Sequence, residues 1–153
     1  MRPPQNPTLA PARDADQRRA DVQAMLAQER HLWLATAGDR RPHLIPLAYA
    51  WDGAQLVLLT ERDSRTVRNL RRSGRARAAL GSTRDVVLAD ATVSFSEPAQ
   101  ADPQLAQLLD RLPLDPHRVP GAIVVHLRPY RMLAWRGPSE MDSRTVMADG
   151  RWC

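Results

Sequence analysis

The residues best suited to chemistry lie in one stretch, Thr60-Glu61-Arg62-Asp63-Ser64-Arg65-Thr66-Val67-Arg68-Asn69-Leu70. An apolar run over 56–59 precedes Thr60, and Val67 and Leu70 keep helical spacing beyond Ser64. The pattern predicts a buried strand ending at Thr60, a turn, and a helix over 64–73 closed by Gly74. Arg71 and Arg72 fall in its last turn, where cations suit the helix dipole. At its start, free N–H groups meet the hydroxyls of Ser64 and Thr66 and the guanidinium forks of Arg65 and Arg68. Such a set suits one phosphate, held by charge-assisted hydrogen bonds. The same residues also suit a capped helix with a solvated basic face, and residue types alone do not separate the two readings.

Other polar residues give weaker signals. His31, His43, His117 and His126 lack metal-ligand spacing, so no metal site is expected. His43, beside Pro42, is a candidate to line a pocket, with a structural or surface role as the alternative. His126 sits in an apolar run and reads as a satisfied core residue. Asp85 and Asp90 flank an apolar run and read as turn markers. No Ser-His-Asp arrangement is readable. Trp51, Trp135 and Trp152 suit either the wall of a planar ligand or packing in a core or dimer.

Composition bounds the function. The chain has 153 residues, 43% of them hydrophobic, which suits a single domain. Residues 1–12 are Pro-rich and read as a flexible arm, leaving 13–153 as the folded unit. Mean hydropathy is −0.45, and no apolar run approaches the roughly 20 residues of a membrane helix. The N-terminus lacks the apolar core of a secretory signal. The single cysteine, Cys153, excludes an intrachain disulfide and fits a reducing cytoplasm, the expected location. All 22 basic residues are arginine, against 17 acidic ones, for a formal charge of +5. Any anion site must therefore use arginine, backbone N–H or hydroxyls, and the planar arginine fork matches phosphate and carboxylate. Nucleic-acid binding is not expected. Aromatics total only 5%, and the arginines lack the interleaved rings of a single-strand platform.

The elements that must position these residues follow from periodicity. Helices are predicted over 14–30, 64–73 and 102–112, and strands over 32–37, 43–51, 55–60, 76–80, 91–95, 122–127 and 130–135. Pro46 cannot donate a ladder hydrogen bond, which implies an edge, a bulge or a ligand-facing position. Asp52-Gly53 signals a hairpin turn. The tail from residue 139 reads as polar and weakly structured. Hairpins dominate and regular strand–helix alternation is missing, which favours an antiparallel sheet or small barrel with flanking helices.

The segment LLT-x-x-x-SRT-x-x-NLRRSGRARAAL resembles the strand–Thr–turn–Ser-Arg-Lys–helix–strand segment of the pyridoxamine 5′-phosphate oxidase-like split-barrel family. RRPHLIPLAYAWDGAQLVLLT is similar to the branch of that family that uses the deazaflavin coenzyme F420. RPYRMLAWRG and SRTVMADGRW resemble small members of that branch, so the likeness spans roughly residues 15–153. It implies a mainly β, six- to seven-stranded antiparallel split barrel with flanking helices, dimeric, with cofactor sites at the dimer interface. It also implies that Ile45, Pro46 and Leu47 line the flavin or deazaflavin ring, and that Leu59 and Thr60 touch the ring and its ribityl chain. Ser64 and Arg65 would hold the phosphate. Thr66 stands where the family usually has lysine, which leaves the phosphate one cation short unless Arg68 or Arg62 reaches in. Gly81, Ser82 and Thr83 are candidates to enter the partner's site, and His43 and Trp51 to line a substrate pocket.

The function so implied is an oxidoreductase moving a hydride from reduced F420 to a small unsaturated or quinone-like substrate. The carboxylates of the deazaflavin tail would suit arginines such as Arg62, Arg68 and Arg72. Two alternatives stand beside it: an FMN-dependent reductase or oxidase, and a non-catalytic protein that binds a cofactor or tetrapyrrole.

Overall fold

The computed structural model describes residues 10–115 and 118–153. His117 and most of the N-terminal arm lie outside the described residues. The chain runs α1 (Ala15–Gln28), β1 (His31–Ala37), β2 (Pro42–Ala48), β3 (Ala50–Trp51), β4 (Leu56–Glu61), α2 (Arg65–Ser73), β5 (Arg75–Ser82), β6 (Asp85–Ser96), α3 (Pro103–Leu109), β7 (Ala122–Trp135), β8 (Thr145–Ala148) and β9 (Arg151–Trp152). Short 3-10 turns at Pro98–Gln100 and Pro138–Ser143 link β6 to α3 and β7 to β8.

Seven strands form one curled antiparallel sheet in the order β2-β1-β5-β6-β7-β4-β3, with β8 and β9 added beside β7. This is the split barrel with flanking helices that the sequence implies. The organiser is β7. It pairs β6 along nearly its whole length, from Val124 against Ser96 to Trp135 against Val86. Its first half also pairs β4 and its second half pairs β8. The predicted strands over 122–127 and 130–135 are thus one strand of 14 residues, with a register shift opposite Asp90/Ala91 that absorbs Pro129-Tyr130.

Alternation sorts the core. Leu32, Leu34, Leu56, Leu58, Ala78, Ala89, Val125, Leu127 and Met132 point inward and are buried. Val22 and Leu26 of α1 plug one end of that core, and the Tyr49 hydroxyl donates to the Leu26 carbonyl at 2.8 Å. A second cluster, Val57, Leu59, Val124, Leu109 and Leu112, lies under α3 on the other face of β4 and β7. No helix among the described residues is long and apolar enough to cross a membrane.

Three expectations are corrected. Asp85 closes the two-residue turn from β5 into β6, as expected, but Asp90 does not mark a turn. Asp85 opens β6 and Asp90 lies in its middle, opposite Arg77, with which it forms a forked ion pair at 2.6 and 3.0 Å. The tail is not weakly structured: Val146 and Met147 are buried, and Asp149-Gly150 turns β8 into β9 with φ of 52° and 75°. Its 3-10 turn carries Glu140, which is 2% exposed. That carboxylate accepts from Arg13 Nε and NH2, both at 2.8 Å, and from the backbone N–H of Arg13 and Arg136. Arg18, also buried, donates to the Ser143 carbonyl and hydroxyl. The Arg13 bonds hold the Glu140 carboxyl down at about 2. A polar segment is folded here because arginines from the chain start satisfy it. The helices are also shorter than predicted, with α3 ending at Leu109 and the chain from Asp110 continuing as turns.

Candidate functional site

α2 is set by two local caps. The Ser64 hydroxyl accepts from the Val67 N–H at 3.2 Å, and Gly74 takes the left-handed conformation at φ 70°. Val67 and Leu70 are buried, fixing the helix against the sheet and leaving Arg65 and Arg68 exposed. Two polar contacts tie α2 to β1 and β2. Asn69 Nδ2 donates to the Thr36 hydroxyl at 3.1 Å, both groups being buried. Thr66, also buried, meets His43 Nε2 at 3.2 Å.

These ties bring the turn between β1 and β2 against α2. The turn is tight: the Gly38 N–H donates to the Arg41 carbonyl, and a Cβ on Gly38 would lie 2.6 Å from that oxygen. Only glycine fits so close an approach. A cavity of about 300 Å³ opens between turn and helix, lined by Gly38, Asp39, Arg40, Arg41, Arg65, Arg68 and Asn69. Arg68 donates to the Asp63 carbonyl at 2.6 Å.

The candidate residues divide among several places. Arg65 and Arg68 share the arginine-lined cavity. Ser64 caps the helix and Thr66 is held by His43. Thr60 and Leu59 end β4, with Leu59 buried and Thr60 half-buried. His43, Ile45 and Leu47 form the half-buried face of β2, an end strand of the sheet that approaches β4 without pairing to it. Pro46 lies on the opposite face. It pairs with Trp33, and both line a cavity of about 530 Å³ with Ala79, Gly81 and Ser82. Thr83 is exposed in the turn beyond. Trp51 lines a third cavity, under α3, with His126. His126 is hydrogen-bonded to the Ser96 hydroxyl at 2.8 Å, and burial lowers its pKa, as suits a satisfied histidine.

Two arginines considered for the anion are committed elsewhere. Arg62 pairs with Glu97 at 2.7 and 3.0 Å, and Arg72 pairs with Asp39. The arginines that do reach the cavity, Arg40 and Arg41, passed as part of a turn in the sequence. Their signal was two adjacent cations in a short glycine-led hairpin, a position where neither side chain is needed for packing.

The sequence profile of the pyridoxamine 5′-phosphate oxidase family matches residues 19–136. Among curated proteins none matches. Many solved structures share the fold. A haem-binding protein from Mycobacterium smegmatis superposes with a TM-score of 0.65 at 20% identity, covering 92% of this chain and 60% of that one. An F420 reductase gives 0.60 at 19% identity, covering 72% and 94%. An FAD-binding protein from Mesorhizobium loti gives 0.55 at 18% identity, covering 74% and 90%. With the profile spanning most of the chain and the split barrel in place, the protein belongs to the pyridoxamine 5′-phosphate oxidase family of flavin-binding split barrels.

Proposed function

We propose that the protein is an oxidoreductase that uses the deazaflavin coenzyme F420 to reduce a small unsaturated or quinone-like compound. The observation that carries this reading is the arginine cluster at the start of α2, which meets no carboxylate among the described residues and adjoins the contact of His43 on β2 with Thr66 on α2. The residues present fit such a cofactor. Ile45 and Leu47 offer an apolar edge for a ring, half-buried Thr60 lies near the end of β4 that leads into α2, and Ser64 with Arg65 stands at the helix N-terminus that suits a phosphate, whereas Leu59 is turned away into the cluster under α3. When bound, the coenzyme supplies the hydride. The chain's task is to hold the phosphate, orient the ring and keep water away from it. His43, at the junction of β2 and α2, is the polar group placed to border the substrate. No acid–base pair is required of the protein.

F420 is preferred over FMN because several cations exceed the need of one phosphate, whereas a tail bearing carboxylates uses them. An active site shared by two copies of the chain belongs to the same proposal. Trp33 and Leu44 on the outer face of β1 and β2 are 50% and 59% exposed, and with Pro46 and Ala79 they make an apolar surface suited to a second copy. A non-catalytic binding role is the remaining reading, and a cytoplasmic location accompanies either one.

The test is a titration of F420 and FMN followed by tryptophan fluorescence, with turnover of reduced F420 measured against quinone acceptors. Micromolar binding of F420 with turnover is the expected result. Tight binding without oxidation by any acceptor would favour a carrier, and binding of neither coenzyme would end both enzyme readings.

A further inference from the structure

The cavity between the 38–41 turn and α2 holds more positive charge than one phosphate needs. Arg40 and Arg41 come from the turn, and Arg65 and Arg68 from the helix. Among the described residues the charges of Arg40, Arg41, Arg65 and Arg68 meet no carboxylate. Asp39, the acidic residue in the lining, is paired with Arg72. Arg71, next along the helix, stacks over Phe95 at 4.4 Å and takes no part. Like charges gathered without partners oppose folding through mutual repulsion, and nothing in the packing calls for them, since all four side chains are exposed. Yet the frame that gathers them is built with care. Gly38 admits the turn's close approach, and the buried Asn69–Thr36 bond fastens helix to strand directly beneath it.

We propose that this cavity is a two-part anion site in which Arg65 and Arg68 hold one negative group, and Arg40 and Arg41 hold a second group of the same ligand. The ligand class is an extended polyanion, either a chain of phosphates or a phosphate followed by carboxylates. Thr66 does not line the cavity, and its hydroxyl is engaged by His43. The assignment deepens the reading of α2 as a cofactor-phosphate site, but its chemistry is tested without any cofactor.

The probes are inorganic phosphate, tripolyphosphate and a tri-glutamate peptide, titrated calorimetrically at low ionic strength against the unmodified chain, Arg40→Ala/Arg41→Ala and Arg65→Ala. Tripolyphosphate or the peptide is expected to bind at least tenfold more tightly than phosphate, and whichever binds better identifies the second group. The turn variant should remove that advantage while keeping phosphate affinity within about twofold, and Arg65→Ala should weaken every probe. Melting temperatures should stay close to that of the unmodified chain, because the substituted side chains are exposed. A turn variant that binds the polyanions as well as the unmodified chain overturns the inference. So does equal affinity of the unmodified chain for phosphate and both polyanions. If the polyanion advantage depends on the turn but neither F420 nor FMN binds, the site stands and the oxidoreductase reading falls. If F420 binds equally well to the turn variant, the oxidoreductase reading stands and the two-part site falls.

Discussion

Arginine does opposite things at two ends of this molecule. At the junction of chain start and tail, buried Arg18 and half-buried Arg13 lie against Glu140, and the carboxylate's lone pairs are taken up by side-chain and backbone donors. At the turn between β1 and β2, Arg40, Arg41, Arg65 and Arg68 are exposed, and none of the four meets a carboxylate among the described residues. The first cluster matches its charges within the fold, with one buried donor, Arg18 Nε, left without a hydrogen-bond partner among the described residues. The second leaves its charges unmatched, which is what a site for an external anion requires. The difference lies in which groups the backbone brings within reach, since the residue type is the same.

The comparison can be broken most severely at Glu140. Glu140→Ala leaves Arg18 buried without its carboxylate and Arg13 with Asp21 alone, and should cost about 3–5 kcal/mol, read by urea unfolding. Loss under 1 kcal/mol would mean the buried cluster is no more structural than a surface pair. Acid should reproduce part of this effect. The carboxyl is held at about 2 against an ordinary 4.5, so its contribution is full above pH 4.5 and is lost as pH falls toward 2. Glu140→Gln should flatten that part of the stability profile, and an unchanged acid limb would remove the assignment.

At the other pole, Arg65→Ala should weaken cofactor binding about tenfold or more, since a charge-assisted bond contributes on the order of 1.5–3 kcal/mol, with stability almost unchanged. An unaltered dissociation constant would put the phosphate elsewhere. A smaller effect is expected at the seam between them. Thr66→Val removes a buried hydroxyl from His43 and should cost about 1 kcal/mol of stability, measured by thermal melting. The smallest belongs to Asp39→Asn, which frees Arg72 from an exposed pair and should change stability by less than about 1 kcal/mol. If that substitution instead strengthens tripolyphosphate binding by more than Arg65→Ala weakens it, Arg72 rather than the turn arginines is the missing cation.

What the sequence made legible was local. Ser64, Gly74 and the Val67–Leu70 spacing define α2 from cap to cap, and each signal acts on its own neighbours. Asp90 misled because its partner Arg77 lies on the preceding strand of the same hairpin and reaches it only through the β5–β6 register. The tail misled because its burial depends on Arg13 and Arg18 more than a hundred residues away. Asp149-Gly150, however, was a readable hairpin signal that polarity masked. Likewise the α2 half of the arginine cavity follows from the helix start, while Arg40 and Arg41 join it only once Asn69 meets Thr36.

The placement of β7 also sets the order in which the chain becomes safe from its neighbours during synthesis. β4 pairs with β7 on one side and with the two-residue β3 on the other. Until residues 122–127 have left the ribosome, a run of buried leucine and valine has an unmatched edge, the kind that recruits strands from other chains. The delay is more than sixty residues, or on the order of 3–13 s at bacterial or slower synthesis rates. Nascent chains stalled within that interval should therefore be the species that chaperones hold and that aggregates contain, more than any species that has completed β7.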